Sequence, residues 1–142
     1  IPAARAVNDS MPLHMVELLE EALAEAGRPL AGAWVLVLGY AYLENSDDTR
    51  NSPSAVLVEQ LRERGAEVVI HDPYVPGYQG DVYALAQGCD AAVLMVAHRA
   101  YRELEWAVLG ERLAAPILVD GRQSVDAAAK WHYRSVGKAR AL

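Results

Sequence analysis

Charged side chains that could bind an anionic ligand stand directly after short apolar runs of the chain. Arg122 comes three residues after an apolar run that ends at Val119, and Asp72 directly follows a run that ends at His71. A guanidinium binds phosphate or carboxylate oxygens in pairs, so Arg122 could hold a phosphate or a base, or could equally form a structural ion pair. Asp72 stands where an acid could bind a ribose hydroxyl, but with Pro73 it is favoured as a simple turn.

The polar segment 44–51 carries a second group of charges. Asp47 and Asp48 are adjacent carboxylates, and Arg50 follows two residues later. Paired carboxylates could exchange protons with a substrate or bind a metal ion. A solvated loop with a local pair between aspartate and arginine is the favoured interpretation, because exposed ion pairs of this kind are common.

Histidine, cysteine and aromatic residues add weaker candidates. His71 and His98 end what we expect to be neighbouring strands, but no third ligand stands at metal-site spacing, so we predict no metal. Cys89 has no cationic neighbour in the sequence, which favours an inert structural thiol. A terminal aromatic and basic cluster could stack on a base, but is favoured as a seal for the sheet edge: Trp131, Tyr133 and Arg134.

Alternating strands and helices must position these side chains. Apolar runs predict strands at 34–38, 67–71, 91–96 and 117–119, with a last strand or extended tail at 131–136. Helical spacing and caps predict helices at 10–26, 53–64, 81–88, 101–113 and 124–129. This order predicts a Rossmann-like α/β fold with three layers, α/β/α, and a mostly parallel sheet. Ligands bind such sheets beyond the carboxyl ends of the strands.

The predicted first helix precedes the alternating pattern and is therefore an extra N-terminal element. Ser10 is expected to be its N-cap, Pro12 to stand in its first turn, and Gly27 to end it. It could be a packing helix, a connector from an upstream domain or a subunit contact. Its apolar residues recur at helical spacing: Met11, Met15, Leu18, Leu19, Ala22, Leu23 and Ala26.

Composition limits the class of protein. The 142 residues suffice for one domain with a core, and 53% hydrophobic with 23% charged residues is typical of a globular chain. The net charge of -6 and the lack of basic clusters argue against nucleic acid, and no apolar run reaches membrane-spanning length. The single cysteine suits a reducing cytoplasm. The first residue is not methionine, so we expect a piece of a longer protein.

The loop after the first predicted strand does not have the dinucleotide-binding pattern. That pattern needs three glycines, for a tight turn, for close approach of the pyrophosphate and for helix packing. Here the loop contains only Gly39. The sequence therefore argues against a typical NAD site in this chain.

Five short motifs, taken in order and spacing, resemble the C-terminal, UDP-binding domain of the UDP-glucose/GDP-mannose dehydrogenase family. The string GxA(F/Y)…DDxRxSP is the most specific part, and the segment 4–12 resembles the end of that family's central helical region. The closest likeness is to the UDP-N-acetylmannosamine dehydrogenase branch. The motifs are Gly39-Tyr40-Ala41-Tyr42, the segment 47–53 (DDTRNSP), Gly65-Ala66-Glu67-Val68, Asp72-Pro73-Tyr74-Val75 and Asp120-Gly121-Arg122.

The resemblance implies a part of an NAD-dependent enzyme that oxidises C6 of a UDP-sugar, UDP-N-acetylmannosamine or UDP-glucose, to a carboxylate in two steps. NAD would be bound by an N-terminal domain, and the catalytic cysteine would lie in a central domain. No catalytic residue is then expected in this chain. Residues 1–30 would end the central dimerisation region and residues 31–142 would form the UDP-sugar-binding domain, within a homodimer or higher homo-oligomer.

The resemblance also assigns residues. Tyr42 matches the aromatic position of the first motif, Leu43 stands where the family usually has a substrate-contacting lysine, and Arg122 matches an arginine that reaches the nucleotide sugar. The loop positions are expected to hold the loop's shape: Asp47, Asp48 and Arg50. The alternative function is a stand-alone Rossmann-like nucleotide-binding or regulatory module, because no complete catalytic group of residues is present.

Overall fold

A computed structural model describes residues 2–41, 52–121 and 132–135. In chain order, the helices and strands are α1 (Pro2–Glu25), β1 (Trp34–Leu38), α2 (Pro53–Glu63), β2 (Glu67–His71), α3 (Val82–Ala86), β3 (Ala91–Leu94), α4 (Arg99–Arg102), α5 (Trp106–Arg112), β4 (Ile117–Asp120) and β5 (His132–Ser135). The alternation predicted from the sequence is therefore confirmed. The predicted helix at 124–129 lies outside the described residues.

The five strands form one parallel sheet in the order β2-β1-β3-β4-β5. The chain passes from β1 to β2 on one side, and then returns to place β3 on the other side of β1. His71 is the last residue of β2 and His98 follows β3, so their strands lie on either side of β1, and the expectation that the two strands are neighbours was wrong. Sequence spacing predicts each strand, but which strands pair is decided by the packing of the crossovers.

Two hydrophobic cores cover the two faces of the sheet, which gives the predicted three layers. On one face, α1 and α2 pack against β1, β3 and β4 through a cluster that includes Leu19, Val37 and Leu57. On the other face, α3, α4 and α5 pack through a cluster that includes Leu38 and Leu109. β1, β3 and β4 are buried on both faces, which explains why their sequences are apolar almost throughout. β2, at the edge of the sheet, is only partly buried.

Helix α1 is longer than predicted and begins at Pro2, so Ser10 is not its N-cap. Pro12 lies inside the helix rather than in its first turn. Because proline has no N–H, one helical hydrogen bond is left unmade there. The preceding alanine-rich segment PAARA favours a helix and extends it upstream. Within the predicted apolar stripe, Met15 and Leu19 are buried, whereas Ala26 is exposed.

The predicted helix at 101–113 is divided into α4 and α5. The N–H of Glu105 donates to the hydroxyl of Tyr83 at 3.0 Å, so it does not continue the helix by donating to Tyr101. The carbonyl of Tyr101 instead accepts the indole N–H of Trp106 at 3.1 Å. Side-chain partners thus interrupt a helix that the hydrophobic spacing predicts as continuous.

Along the described residues, no helix is both long and apolar enough to cross a membrane.

Candidate functional site

The strand order places the topological switch point between β1 and β3, which is where open α/β sheets bind ligands. The two loops that leave these strands touch each other. The N–H of Met95 donates to the carbonyl of Leu38 at 2.9 Å. A methyl group at Gly39 would lie 2.7 Å from Val96 Cβ and 2.8 Å from its backbone nitrogen. Because Gly39 also has φ +94°, only glycine fits this contact.

Asp72, directly after β2, joins three loops through its carboxylate, which has no exposed surface. Its Oδ2 accepts the backbone N–H of Tyr40 at 2.8 Å and of Ala41 at 2.9 Å. The same oxygen accepts the Nε2–H of His98 at 2.9 Å. Its Oδ1 accepts the N–H of Tyr74 at 2.8 Å. One side chain therefore ties the loop after β1 to the loops after β2 and β3.

These donors keep the buried carboxylate ionised. Burial by itself would raise the pKa of Asp72, but the hydrogen bonds from His98, Ala41, Tyr40 and Tyr74 outweigh burial and lower the pKa to about 2. A carboxylate that accepts several N–H groups is stabilised in its charged form. Asp72 therefore stays an anion at every pH near neutrality.

His71 and Tyr101 extend the buried polar group on the other side of Asp72. The imidazole of His71 lies 3.0 Å from the carbonyl of Gly80 through Nε2 and 2.8 Å from the Tyr101 hydroxyl through Nδ1. Burial lowers the pKa of His71, so the ring is neutral at neutral pH. A carbonyl only accepts, so the neutral ring carries its proton on Nε2. The single proton of the Tyr101 hydroxyl faces two acceptors of His71, Nδ1 and the backbone carbonyl, each at 2.8 Å. Burial, with the charge of Asp72, raises the pKa of Tyr101 and keeps its hydroxyl protonated.

Ser52 holds the loop after β1 at its far end. As predicted, it is the N-cap of α2, with Pro53 in the first turn, and its Oγ accepts the N–H of Ser54 at 3.0 Å. The same hydroxyl donates to the carbonyl of Tyr40 at 2.8 Å. Residues on either side of the segment 42–51 are therefore joined by a hydrogen bond beside Asp72.

Three tyrosines surround the buried carboxylate of Asp72, which is called the anchor below. The rings of Tyr40 and Tyr78 meet edge to face, with centroids 5.2 Å apart. The ring of Tyr74 lies against His98 at 4.8 Å and remains 38% exposed. An aromatic surface of this kind, beside the carboxyl ends of the strands, can contact a planar base or the face of a sugar.

At the end of β4, helix α1 approaches the turn that leads to Arg122. The N–H of Gly121 donates to the carbonyl of Leu94 at 2.9 Å. A methyl group at Gly121 would lie 2.7 Å from Met15 Sδ of α1 and 3.2 Å from the same carbonyl oxygen. Asp120, directly before Gly121, is fully buried.

The residues singled out from the sequence divide into two groups. Asp72, His71 and His98 are brought together around the ends of β2 and β3, as described above. Cys89 is buried, and burial raises its pKa to about 11, as an inert thiol requires. The other candidates lie outside the residues whose side chains the structure describes: Tyr42, Leu43, Asp47, Asp48, Arg50, Arg122, Trp131, Tyr133 and Arg134.

The described residues do not fit a dinucleotide at the switch point. In dinucleotide-binding sheets the pyrophosphate approaches the first loop closely, and an acid after β2 binds the ribose. Here Gly39 is packed against Val96, and the carboxylate of Asp72 is buried and already accepts four N–H groups. Asp72 is therefore the turn residue that the sequence favoured, and it is not available to a ribose. Within the described ranges, no group of His, Cys, Asp and Glu could hold a metal ion.

Sequence reasoning missed the anchoring role of Asp72 and the contribution of Tyr101. The available signal was that Asp72 and His98 both stand at the ends of apolar runs, where a parallel sheet gathers its strand ends. The donors to Asp72 lie as far as 32 residues away in the chain, so spacing alone could not identify them.

The comparisons with known proteins agree with this architecture. A family model described as the UDP-binding domain of the UDP-glucose/GDP-mannose dehydrogenase family matches residues 36–127. The chain belongs to this family. The match runs from within β1 to beyond the end of β4, so the resemblance stated from the motifs is confirmed.

Individual relatives match almost the whole chain. UDP-N-acetyl-D-mannosamine dehydrogenase of Pyrococcus horikoshii is 34% identical over 139 residues, which is 97% of this chain and 33% of the relative. UDP-glucose 6-dehydrogenase of Rhizobium meliloti is 31% identical over 147 residues, covering 94% of this chain and 33% of that protein. A solved structure of the Pyrococcus horikoshii UDP-D-ManNAc dehydrogenase superposes with a TM-score of 0.89 over 95% of this chain and 32% of that one. The chain thus spans about a third of the length of these relatives.

Proposed function

We propose that the chain binds the UDP part of a nucleotide sugar within an NAD-dependent UDP-sugar 6-dehydrogenase. The observation that supports this most directly is the match of the family's UDP-binding domain to the segment that contains the carboxyl ends of the strands. These strand ends are called the carboxyl edge of the sheet below, and the opposite strand ends are called the amino edge. The close packing of Gly39 against Val96 at the switch point is compatible with the proposal, because NAD would be bound by a domain outside residues 1–142. The substrate would be UDP-N-acetylmannosamine or UDP-glucose, the sugars named for the two relatives.

The proposal assigns substrate contacts to Tyr42, Leu43 and Arg122, and loop shaping to Asp47, Asp48 and Arg50. Tyr42 directly follows Ala41, whose N–H is held by Asp72. Arg122 directly follows Gly121, whose N–H is held by the carbonyl of Leu94. Tyr42 and Arg122 would therefore each follow a residue whose backbone N–H is held by a hydrogen bond. No catalytic group is assigned to this chain.

The proposal also includes the organisation of the whole enzyme. Residues 1–30 would belong to the end of its central helical region and residues 31–142 to the UDP-sugar-binding domain. The enzyme would be a homodimer or a higher homo-oligomer in the cytoplasm, where the buried thiol of Cys89 stays reduced.

Titration of the chain with UDP and with NAD by calorimetry tests the ligand. We expect weak but saturable binding of UDP, because the pocket is completed by other domains, and no binding of NAD. Tight binding of NAD with no heat from UDP would refute the proposal.

Substitution of Arg122 in the full-length enzyme tests the contact. Arg122→Ala should raise the KM for the UDP-sugar about tenfold or more, because a charge-assisted pair with phosphate is lost. The KM for NAD should stay the same. Arg64→Ala is the control, since Arg64 lies after α2 at the opposite edge of the sheet and pairs with Glu20 at 3.3 Å. Equal KM values for Arg122→Ala and Arg64→Ala would contradict the role of Arg122.

A further inference from the structure

We propose that Asp72 and His98 are positioning residues for nucleotide-sugar binding, because together they fix the backbone of Tyr40 and Ala41 from which Tyr42 follows. This inference rests on the proposed function. It assigns a role to a buried pair that does not itself reach the ligand, since both side chains have no exposed surface.

Three polar groups of the backbone before Tyr42 are held by side chains of other elements. The N–H groups of Tyr40 and Ala41 both donate to Asp72 Oδ2, at 2.8 and 2.9 Å. The carbonyl of Tyr40 accepts from the Ser52 hydroxyl at 2.8 Å. The peptide group between Tyr40 and Ala41 is therefore held through both its carbonyl and its N–H, and the preceding peptide group is held through its N–H. These three bonds fix the backbone that directly precedes Tyr42 in the chain.

The anchor is itself held in place. The backbone N–H of Asp72 donates to the carbonyl of Tyr78 at 2.9 Å, and Oδ1 accepts from Tyr74. His98 donates the third hydrogen bond to Oδ2. The ring of His98 lies between the rings of Tyr74 and Tyr101, with centroid distances of 4.8 Å and 5.6 Å. Neither side chain can rotate without breaking contacts on several elements, so the geometry exists before any ligand arrives.

The chemistry of the anchor requires an anion. Oδ2 accepts three N–H groups, and Oδ1 accepts a fourth. In Asp72→Asn, one of these oxygens becomes an NH₂ group that faces at least one N–H donor. In His98→Leu, the carboxylate loses its side-chain donor, whereas His98→Gln keeps an N–H at the end of a side chain of similar reach. Misplacement of a substrate contact by about 1 Å can cost up to about a hundredfold in rate or affinity.

The test uses steady-state kinetics of the full-length enzyme. We expect His98→Leu and Ser52→Ala each to raise the KM for the UDP-sugar about tenfold, with kcat and the KM for NAD within about twofold of wild type. His98→Gln should restore the KM to within about threefold. Asp90→Asn is the matched control, because Asp90 also accepts a backbone N–H, from Trp34 at 2.8 Å, but at the opposite edge of the sheet.

Two results would overturn the proposal. One is an unchanged KM for the UDP-sugar in His98→Leu and Ser52→Ala. The other is an equal rise in Asp90→Asn, which would show general loosening of the domain. If Asp72→Asn folds, its KM for the UDP-sugar is compared as well. If Asp72→Asn does not fold, the milder variant Ser52→Ala tests the proposal.

Amide hydrogen exchange of the 142-residue chain separates this inference from the proposed function. In wild type, the amides of Tyr40 and Ala41 should exchange as slowly as those of β1, and His98→Leu should accelerate both at least tenfold. If the enzyme neither binds nor oxidises a UDP-sugar, the proposed function fails even where these amides are protected. If Arg122→Ala raises the KM but the two amides exchange freely in wild type, only the positioning role fails.

Discussion

The two edges of the sheet are built from different interactions. The carboxyl edge contains a group of buried polar side chains, which are Ser52, Ser54, His71, Asp72, His98, Tyr101 and Asp120. The amino edge is joined by partly exposed groups. There, Arg28 pairs with Asp90 at 2.9 Å, with 41% and 18% of their side chains exposed, and Trp34 is 47% exposed.

This difference shows where the fold is specified most tightly. A buried polar group is costly unless each donor and acceptor is satisfied, so the groups at the carboxyl edge allow only one arrangement. Exposed ion pairs contribute little and tolerate rearrangement. Among the described residues, the edge where α/β proteins bind ligands is therefore the more tightly specified one.

The largest expected effect comes from replacing Asp72, with Asp90 at the amino edge as the comparison. Asp72→Asn should lower the free energy of unfolding by about 3 kcal/mol or more, because a buried donor is left facing another donor. Asp90→Asn should lower it by about 1 kcal/mol, because water can replace the lost partner of Arg28. Urea denaturation of both variants measures the difference, and equal losses would remove the distinction between the edges.

A glycine pair with positive φ sharpens the comparison. Gly39→Ala at the carboxyl edge should cost about 3 kcal/mol, because the added methyl group overlaps the backbone of Val96 in a left-handed conformation. Gly32→Ala at the amino edge has φ +85° but no atom within 4 Å, and should cost only about 1 kcal/mol. Thermal denaturation compares the two. A larger loss in Gly32→Ala would contradict the close contact at the switch point.

A smaller effect is expected from pH. Burial lowers the pKa of His71 below its ordinary value of 6.5, so the unfolded chain binds a proton at a higher pH than the folded one. The contribution of His71 to stability is then complete above about pH 6.5 and is lost as the pH falls toward its folded pKa. Asp72, whose pKa is lowered to about 2, adds a second loss as the pH falls from about 4 toward 2.

Urea denaturation between pH 7 and 5 measures the first window. His71→Gln should flatten the slope of stability against pH in that window. A slope that is unchanged in His71→Gln would show that another group is responsible.

The smallest effect is expected at the amino edge. Arg28→Gln removes the ion pair with Asp90 and should lower the free energy of unfolding by no more than about 0.5 to 1 kcal/mol, because Arg28 is substantially exposed. The loss should shrink further at high salt, where exposed charges are screened. A salt-independent loss of 2 kcal/mol would place the amino edge among the tightly specified parts of the domain.

Local patterns predicted the strands well. The runs at β1 and β2 are apolar, are bounded by turn residues, and match the structure residue for residue. The N-cap at Ser52 was also predicted, because Ser-Pro at a helix start acts through neighbours in the chain.

Features that depend on distant partners were not predicted. The division of α4 from α5 depends on the hydroxyl of Tyr83, which lies 22 residues away from its donor in Glu105. The strand order and the anchor at Asp72 likewise depend on which loops the crossovers bring together. The sequence could therefore indicate the edge that binds a ligand, whereas only the three-dimensional structure identifies what holds that edge.

Helix α1 has a consequence for how such a domain can be exchanged during evolution. Its buried residues Met15, Leu19 and Leu23 share one core with Val35 and Val93 of the sheet, and Met15 also abuts Gly121. A recombination joint placed at residue 31 would combine a sheet with a helix selected against a different surface. Inheritance should therefore keep α1 with the sheet, so that the unit that can be transplanted between relatives begins upstream of the first strand.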